Sequence, residues 1–553
     1  MLLGAEGGSR SDTPPSGDTP PSDDAPSPRV RWSTYRTTPL QISSRPPGVA
    51  NIIVNEAAER FSYYGMRSIL VVFMTQHLRD GSGTLAVLSE SEARECYHAF
   101  STAVYFTPII GALIAASFLG TYRTIIGFSL VYCAGHAALA INETLIGMVF
   151  GLSLISLGSG GIKPCVSACL GDQFCTMNAH LISSTFGYFY LAINLGAFTS
   201  TLLTPWLLHS VGSHLAFGVP GLMMALATVV FWCGRGSYCH VPPYGLRFWR
   251  EAFGPEGRRA LGKLAVIYLF VAVYYSLYDQ TGSAWVLQAT HMNRHFLGHE
   301  WLPSQIGAIN ALLILLLVPL FNGIELRLPL HRLCARASPA GPPVLRVTGL
   351  YALAGRHVRV TPLRKMSLGF FLLALSFGVT LLIETWIEAG QTPNIGWQLL
   401  AYVVLTVAEV HVSVTGLEFS YTQAPPCMKS VVMACYLMSS AVGNLLTVLV
   451  NHLIREKDGT SKWTNVTYYR FFTLLMLASA ILFVPYAACY QERSYVRGGG
   501  ASTQDAGSES GGAEGGEPPP EERSQLQCGD LRHAHLHVSS CGLRTTSETS
   551  GLK

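Results

Sequence analysis

Residues 49–77 form an apolar stretch broken by Glu56, Glu59, Arg60 and Arg67, with Tyr63 and Tyr64 among them. In a helix, at about 100° per residue, these six side chains fall within an arc of about 140°. The other positions, including Ile52, Ile53, Val54, Ala57, Ala58, Ile69 and Leu70, are apolar or small. A charge at the centre of a membrane-spanning helix costs about 2.5–3.5 kcal/mol on insertion scales, so such a stripe must face the inside of a bundle. Two chemistries suit two carboxylates and two guanidinium groups. One is an ion-pair network that locks the helix to its neighbours. The other is a site for a charged solute and a proton. Buried ion pairs are poor stabilisers in general, which favours the second.

Other polar residues stand alone in apolar surroundings. His98 and Tyr105 are seven apart, hence on one helix face. Lys163 is the only charge in its stretch, and Asn194, Asp279, Asn310 and Glu409 are similarly isolated. A lone Asn in a span often serves only as a helix–helix hydrogen bond. Lys163 and Glu409 lie in opposite halves of the chain. A cavity with cations on one wall and a carboxylate on the other suits a zwitterion, one end at Arg60 and Lys163, the other at Glu409. A substrate carboxylate arriving at Arg60 would loosen its hold on Glu56 or Glu59, which links substrate binding to proton binding.

The elements that must position these groups are membrane spans. Of 553 residues only 13% are charged, and mean hydropathy is +0.33, against about 25% charged in soluble domains. Apolar runs predict twelve transmembrane helices at 49–77, 98–119, 123–142, 146–168, 183–208, 214–233, 261–283, 303–323, 365–387, 396–417, 429–453 and 469–490. They divide into two six-helix halves, 47–233 and 261–493, around a cytoplasmic linker at 234–260. Residues 324–363 read as a cytoplasmic loop and solvated spacer. Residues 1–46 and 494–553, rich in Pro, Ser and Gly, read as disordered tails. An even span count puts both termini on one side. Arg and Lys concentrate in the loops on that side, so both termini are expected to be cytoplasmic. Asn142-Glu143-Thr144 and Asn465-Val466-Thr467 are glycosylation-type triplets on the opposite side. No signal peptide is expected, since the first span would itself direct insertion.

Several function classes are disfavoured. A net charge of +4 gives no argument for nucleic acid. The cysteines form no paired framework. Cys528, His533, His535, His537 and Cys541 fit no standard zinc spacing, so neither a metal nor a cofactor is expected. Gly160-Gly161-Ile162-Lys163-Pro164 lacks the glycine spacing and following Ser/Thr of a phosphate loop, which argues against an ATP-driven pump. His299-Glu300 has no second His four residues after the first, and no nucleophile elbow stands out, so no enzyme is expected.

Three stretches resemble the signatures of the proton-dependent oligopeptide transporter family of the major facilitator superfamily. They are Asn55-Glu56-Ala57-Ala58-Glu59-Arg60-Phe61-Ser62-Tyr63-Tyr64-Gly65-Met66-Arg67, Gly160-Gly161-Ile162-Lys163-Pro164 with Gly171-Asp172-Gln173-Phe174, and Glu418-Phe419-Ser420-Tyr421-Thr422-Gln423-Ala424-Pro425. Phe106-Thr107-Pro108 and residues 279–285 also fit. The resemblance covers roughly 47–490 and implies an all-α major facilitator fold, alternating access and proton-coupled import of di- and tripeptides. It implies that Arg60 and Lys163 meet the peptide carboxyl end, and Glu409, Asn194 and Asn310 the amino end. Tyr63, Tyr64 and Trp285 would line side-chain pockets, with Arg67 and Tyr105 also in the substrate site. Glu56, Glu59, His98 and Asp279 would handle protons.

Ala115-Ala116 stands where the family usually has Ala-Asp at its inner gate, and Leu170 where a second Gly is common. The 234–260 linker is too short for the two extra helices of many bacterial members. Other substrates within the family, such as nitrate or histidine, remain alternatives, as does a substrate-sensing scaffold. The partners expected are peptides, protons and the lipid bilayer, with the chain functional as a monomer. A plasma-membrane site is the default and an endolysosomal one the alternative.

Overall fold

The computed structural model describes residues 35–243, 245, 254–322, 324–327, 344–347, 350–354, 356, 360–423, 429–456 and 461–490. The tail residues 1–34 and 491–553, the tail Cys/His cluster, and Ala424 and Pro425 of the third signature lie outside the described residues.

The first half consists of α1 (Val49–Gln76), α2 (Glu90–Ile114), α3 (Thr121–Ile141), α4 (Leu145–Gly171), α5 (Ile182–Ser210) and α6 (Ser213–Cys233). The second half begins with α7 (Pro255–Tyr278), a 3-10 turn Asp279–Gly282 and α8 (Ala284–Thr290), which together make one span. It continues with α9 (Ala308–Asn322), the short α10 (Leu350–Ala354) and α11 (Pro362–Glu388). The tenth span is α12 (Gly396–Glu409), a π turn Val410–Val414 and α13 (Thr415–Thr422); α14 (Lys429–Ile454) and α15 (Asn465–Cys489) complete the set. Among the described residues eleven spans are long and apolar enough to cross a membrane; a further helix, α1, carries four charges.

Boundaries follow local chemistry. Ser89 accepts from the Glu92 amide and Glu92 returns a bond to the Ser89 amide, a capping box that starts α2 eight residues before its apolar run. Thr144, Thr361 and Thr464 cap α4, α11 and α15 through their hydroxyls. α7 starts at Pro255, inside the stretch expected to be linker, because proline is pre-organised for a first helical turn.

Two antiparallel hairpins interrupt the all-helical pattern. β1 (His295–Phe296) and β2 (His299–Glu300) are joined by Leu297 and Gly298, both at positive φ, the geometry of a two-residue hairpin turn. β3 (Ile324–Arg327) pairs with β4 (Val344–Val347), so the expected spacer at 324–363 contains a hairpin and α10.

Residues 35–46, assigned by composition to a disordered tail, are placed against the first half. The Tyr35 ring stacks on His240 at 4.6 Å. Arg36 donates to the Ser237 carbonyl, and Asn178 donates to that of Ser44. A few aromatic, aliphatic and Arg side chains suffice for this packing, and an average over the whole tail conceals them.

Each half has its own buried apolar core. The halves meet chiefly where α2 packs on α14 and α5 on α9. Bonds between them gather at the end of the bundle that holds the α1–α2 connection, hereafter the α1–α2 end.

Candidate functional site

α1 is wedged between α5 and α6. Thr204 donates to the Gly65 carbonyl at 2.9 Å, Asn55 to that of Ala227 at 3.0 Å, and Ser62 pairs with His136 at 2.8 Å. These bonds fix the helix rotation and turn its polar stripe inward, with Val54 left on the exposed side.

The first pole of the site is a buried charge cluster. Arg60 Nε lies 3.0 Å from Glu56 Oε1 and 2.6 Å from Glu59 Oε2. Glu59 is fully buried, and neither its oxygens nor Arg60 Nε makes a hydrogen bond of good geometry. The contact is therefore electrostatic rather than a satisfied fork, a state that points to function when found in a buried carboxylate. Lys163, from α4, has its Nζ 4.4 Å from the Tyr63 ring centre and 4.5 Å from that of Tyr105. Two aromatic faces thus hold this ammonium group.

The second pole stands in the other half. Glu409, the last residue of α12, accepts from Asn310 Nδ2 at 2.8 Å and bonds the Tyr278 hydroxyl. Asn310 also donates to Thr406 at 3.1 Å. The π turn directly after Glu409 places it at a helix irregularity of the kind often found at functional sites. Tyr64 lies within electrostatic reach of Glu59, Arg60 and Arg67 and also of Glu409, so it interacts with both poles.

A third group joins the halves. Arg67 Nη2 is 2.5 Å from Asp279 Oδ1, and Arg67 Nε donates to the Tyr97 hydroxyl at 2.6 Å. Asp279 Oδ2 accepts from Asn444 at 2.6 Å and from Ser440 at 3.2 Å. The Asn444 carbonyl oxygen faces His98 Nδ1 at 2.7 Å, and His98 Nε2 faces Ser283 at 2.9 Å. At Gly282 a Cβ would collide with the Tyr97 hydroxyl, so a side chain there requires the Tyr97 ring to move.

Of the expected site residues, Glu56, Glu59, Arg60, Tyr63, Lys163 and Tyr105 form the first pole. Asn310 and Glu409 form the second, Tyr64 interacts with both, and Arg67, His98 and Asp279 form the latch. Asn194 donates to the Tyr190 carbonyl of its own helix at 3.0 Å, and Tyr190 lies within electrostatic reach of Glu409 and Tyr64. Trp285 is a core residue here, 1% exposed, with Tyr402 at 4.8 Å and Phe377 at 5.7 Å. Sequence reasoning missed Asn444, Ser440, Ser283, Tyr97 and Tyr278. Asn444 carries the same signal as Asn194 and Asn310, a lone amide in an apolar run. Hydroxyls carry no such signal. Ala116, where the resemblance leads one to expect a carboxylate, offers its carbonyl to the Gly245 amide at 3.3 Å.

Comparison with known proteins settles the family. The family model described as PTR2, POT family, matches residues 122–254 and 246–466. The chain belongs to the POT family. It is 35% identical over 425 residues to solute carrier family 15 member 2 of Rattus norvegicus, covering 68% of this chain and 54% of that one. It is 29% identical over 665 residues to peptide transporter family 1 of Drosophila melanogaster, covering 81% and 88%. The chain thus spans about half the length of its solute carrier family 15 relatives. Among solved structures, an auto inhibited POT family peptide transporter superposes with a TM-score of 0.69 at 32% identity, covering 82% of this chain and 99% of that one. The POT family transporter PepTSo gives 0.68 at 33% identity, covering 80% and 98%. These neighbours establish the twelve-helix major facilitator fold of a POT protein for this multi-pass membrane chain.

Proposed function

We propose that this chain is a proton-coupled symporter that imports di- and tripeptides by alternating access. The observation that carries the proposal is the pairing of two opposed poles, Arg60 and Lys163 on α1 and α4 against Glu409 and Asn310 on α12 and α9, with Tyr64 in electrostatic reach of both. A short peptide has a carboxylate for the first pole and an ammonium for the second. Nitrate offers nothing to Glu409.

In the proposed cycle the peptide carboxylate competes with Glu56 and Glu59 for Arg60. The carboxylate that loses its cation takes a proton, because an unpaired buried charge is costly. Lys163 leaves its aromatic sandwich to share the incoming carboxylate, while Glu409 releases Tyr278 or Asn310 to hold the ammonium group. Arg67, Asp279 and His98 govern closure at the α1–α2 end, which the excess of cationic loops on the other side assigns to the exterior. Asn194 and Trp285 enter the site when the helices rearrange. The two bundles at 47–233 and 261–493 act as the moving bodies, and the chain works as a monomer in the plasma membrane with both termini in the cytoplasm.

The test is acidification inside proteoliposomes on addition of a dipeptide under an inward proton gradient, with nitrate and histidine as comparison substrates. Dipeptide-dependent acidification is expected. Acidification with nitrate or histidine alone overturns the peptide assignment, and peptide uptake without acidification overturns the coupling.

A further inference from the structure

The start of α2 is a hub between the halves that the two poles and the Arg67 latch do not use. Its capping box fixes the first turn, and three side chains then reach three separate elements of the second half. Glu90 Oε1 lies 3.2 Å from His291 Nε2, just past α8. Arg94, 3% exposed, donates to Asn465 at 3.2 Å and stacks on Tyr468 at 4.7 Å, both at the start of α15. Glu95 lies 3.3 Å from His452 and 3.0 Å from Arg455, both at the end of α14.

Two of these grips are carboxylate–imidazole pairs. They are ion pairs only when the imidazole carries its proton; neutral, it offers the carboxylate at most one uncharged N–H. The part-exposed side chains can exchange protons with the solution at this end, since His291 and His452 keep 49% and 60% of their surface. The Arg94 grip joins a guanidinium to an amide oxygen and an aromatic ring, so it does not depend on pH in this range. Asn465, which it uses, also bonds Glu384, and Glu384 accepts from Gln288 at 2.7 Å. The Asn465 side chain is therefore committed to this junction while the end is closed.

We propose that the first two turns of α2 form a pH-sensitive clamp, in which Glu90 with protonated His291, and Glu95 with His452 and Arg455, hold the α1–α2 end shut. The clamp rests on the halves parting at this end, as alternating access requires, and not on peptide or proton coupling. The groups around His291 are Glu90 from α2 and Glu384 from α11, with Arg94 beside Glu90. Around His452 they are Glu95 from α2, with Arg455 from its own helix end.

The sign follows from linkage. The hydrogen bond with Glu90 raises the proton affinity of His291 above the ordinary histidine value in the closed state. In the parted state that partner is gone. The closed state thus binds the proton more tightly, so acid favours closure. The contribution is complete below the ordinary histidine value of about 6.5 and is lost as pH rises through the raised one. It fails again at a pH low enough to protonate Glu90.

The test places labels at Leu85→Cys and Gln391→Cys, on opposite halves of this end, in a background with its reactive cysteines replaced. Their distance distribution is measured in lipid nanodiscs between pH 5.5 and 8.5 without substrate. The expected result is a rise in the closed-to-open ratio of about fivefold on acidification, the size two part-exposed pairs can supply. His291→Gln with His452→Gln should flatten the titration, and exchanging one pair as Glu90→His with His291→Glu should restore half of it. If the double variant does not fold, Glu90→Gln with Glu95→Gln reads the same pairs from the other side. Superposition of either double variant's titration on the wild-type curve overturns the clamp. Because no transport is measured, a failure here leaves the peptide assignment untouched, and a failure of peptide transport leaves the clamp standing.

Discussion

Asp279→Asn is the perturbation with the largest calculable consequence. Asp279 is 1% exposed and is the carboxylate partner of Arg67, whose side chain is 11% exposed. Breaking a buried ion pair by removing one partner costs about 3–5 kcal/mol, because the other charge stays buried and uncompensated. Arg67 retains the Tyr97 hydroxyl and the Tyr97 ring at 5.3 Å, which offset about 1–2 kcal/mol of this. A residual penalty of about 2 kcal/mol falls on the closed state alone, since parting of the halves lets water reach Arg67. The closed-to-open ratio at the α1–α2 end should then fall roughly 30-fold. Labels across that end read the ratio directly. A double-mutant cycle with Arg67→Gln separates the pair from the rest of the network, with an expected coupling energy of about 1.5 kcal/mol or more. An unchanged distance distribution in Asp279→Asn, or additivity of the two substitutions, would refute the idea that this pair latches the halves.

Glu409→Gln keeps the shape of the second pole and removes its charge. Peptide KM should rise about ten- to a hundredfold, the worth of a charge-assisted hydrogen bond, while melting temperature holds. Gly282→Ala should open the α1–α2 end, because its Cβ collides with the Tyr97 hydroxyl; adding Tyr97→Phe should recover part of the closed population in the same label measurement. Glu59→Gln should abolish proton-driven accumulation yet leave peptide counterflow, measured as labelled dipeptide exchange without a gradient. Acidification from about pH 8 to 6 should close the α1–α2 end in wild type and not in His291→Gln with His452→Gln.

Most of the helical architecture is legible in the sequence, because each span is a long apolar run that punctuation bounds to within a few residues. α2 departs furthest at its start. It starts at Glu90 rather than His98, since its first two turns carry Glu90, Glu92, Arg94 and Glu95 and belong to the junction between halves rather than to the apolar slab. The poles are legible for the same reason that they are costly, since charge in an apolar run has few explanations. The polar partners of the latch are not. Ser283 and Ser440 look like ordinary span residues, Asn444 is one more amide in an apolar run, and only tertiary approach brings the three to His98 and Asp279. Trp285 shows the opposite limit. Its side-chain type suits a pocket wall, but period and spacing do not say which way the short α8 turns it, and here it fills the core of the second half.

The charges of the site, taken together, sharpen the coupling argument. Three cations, Arg60, Arg67 and Lys163, stand among four carboxylates, Glu56, Glu59, Asp279 and Glu409. The groups reach one another electrostatically, Lys163 with Glu59 and Asp279, and Tyr64 with both poles. Burial in a low-dielectric interior penalises any net charge. A zwitterionic peptide brings no net charge, so it cannot neutralise the excess carboxylate, whereas one proton does. The proton is best placed where pairing is poorest, and that is the Glu56–Glu59–Arg60 group, in which one guanidinium Nε serves two carboxylates and Glu59 has no aligned hydrogen bond. When a peptide carboxylate claims Arg60, the shortage there becomes acute. In the proposed cycle coupling then needs no long-range signal, because substrate and proton would meet at one side chain.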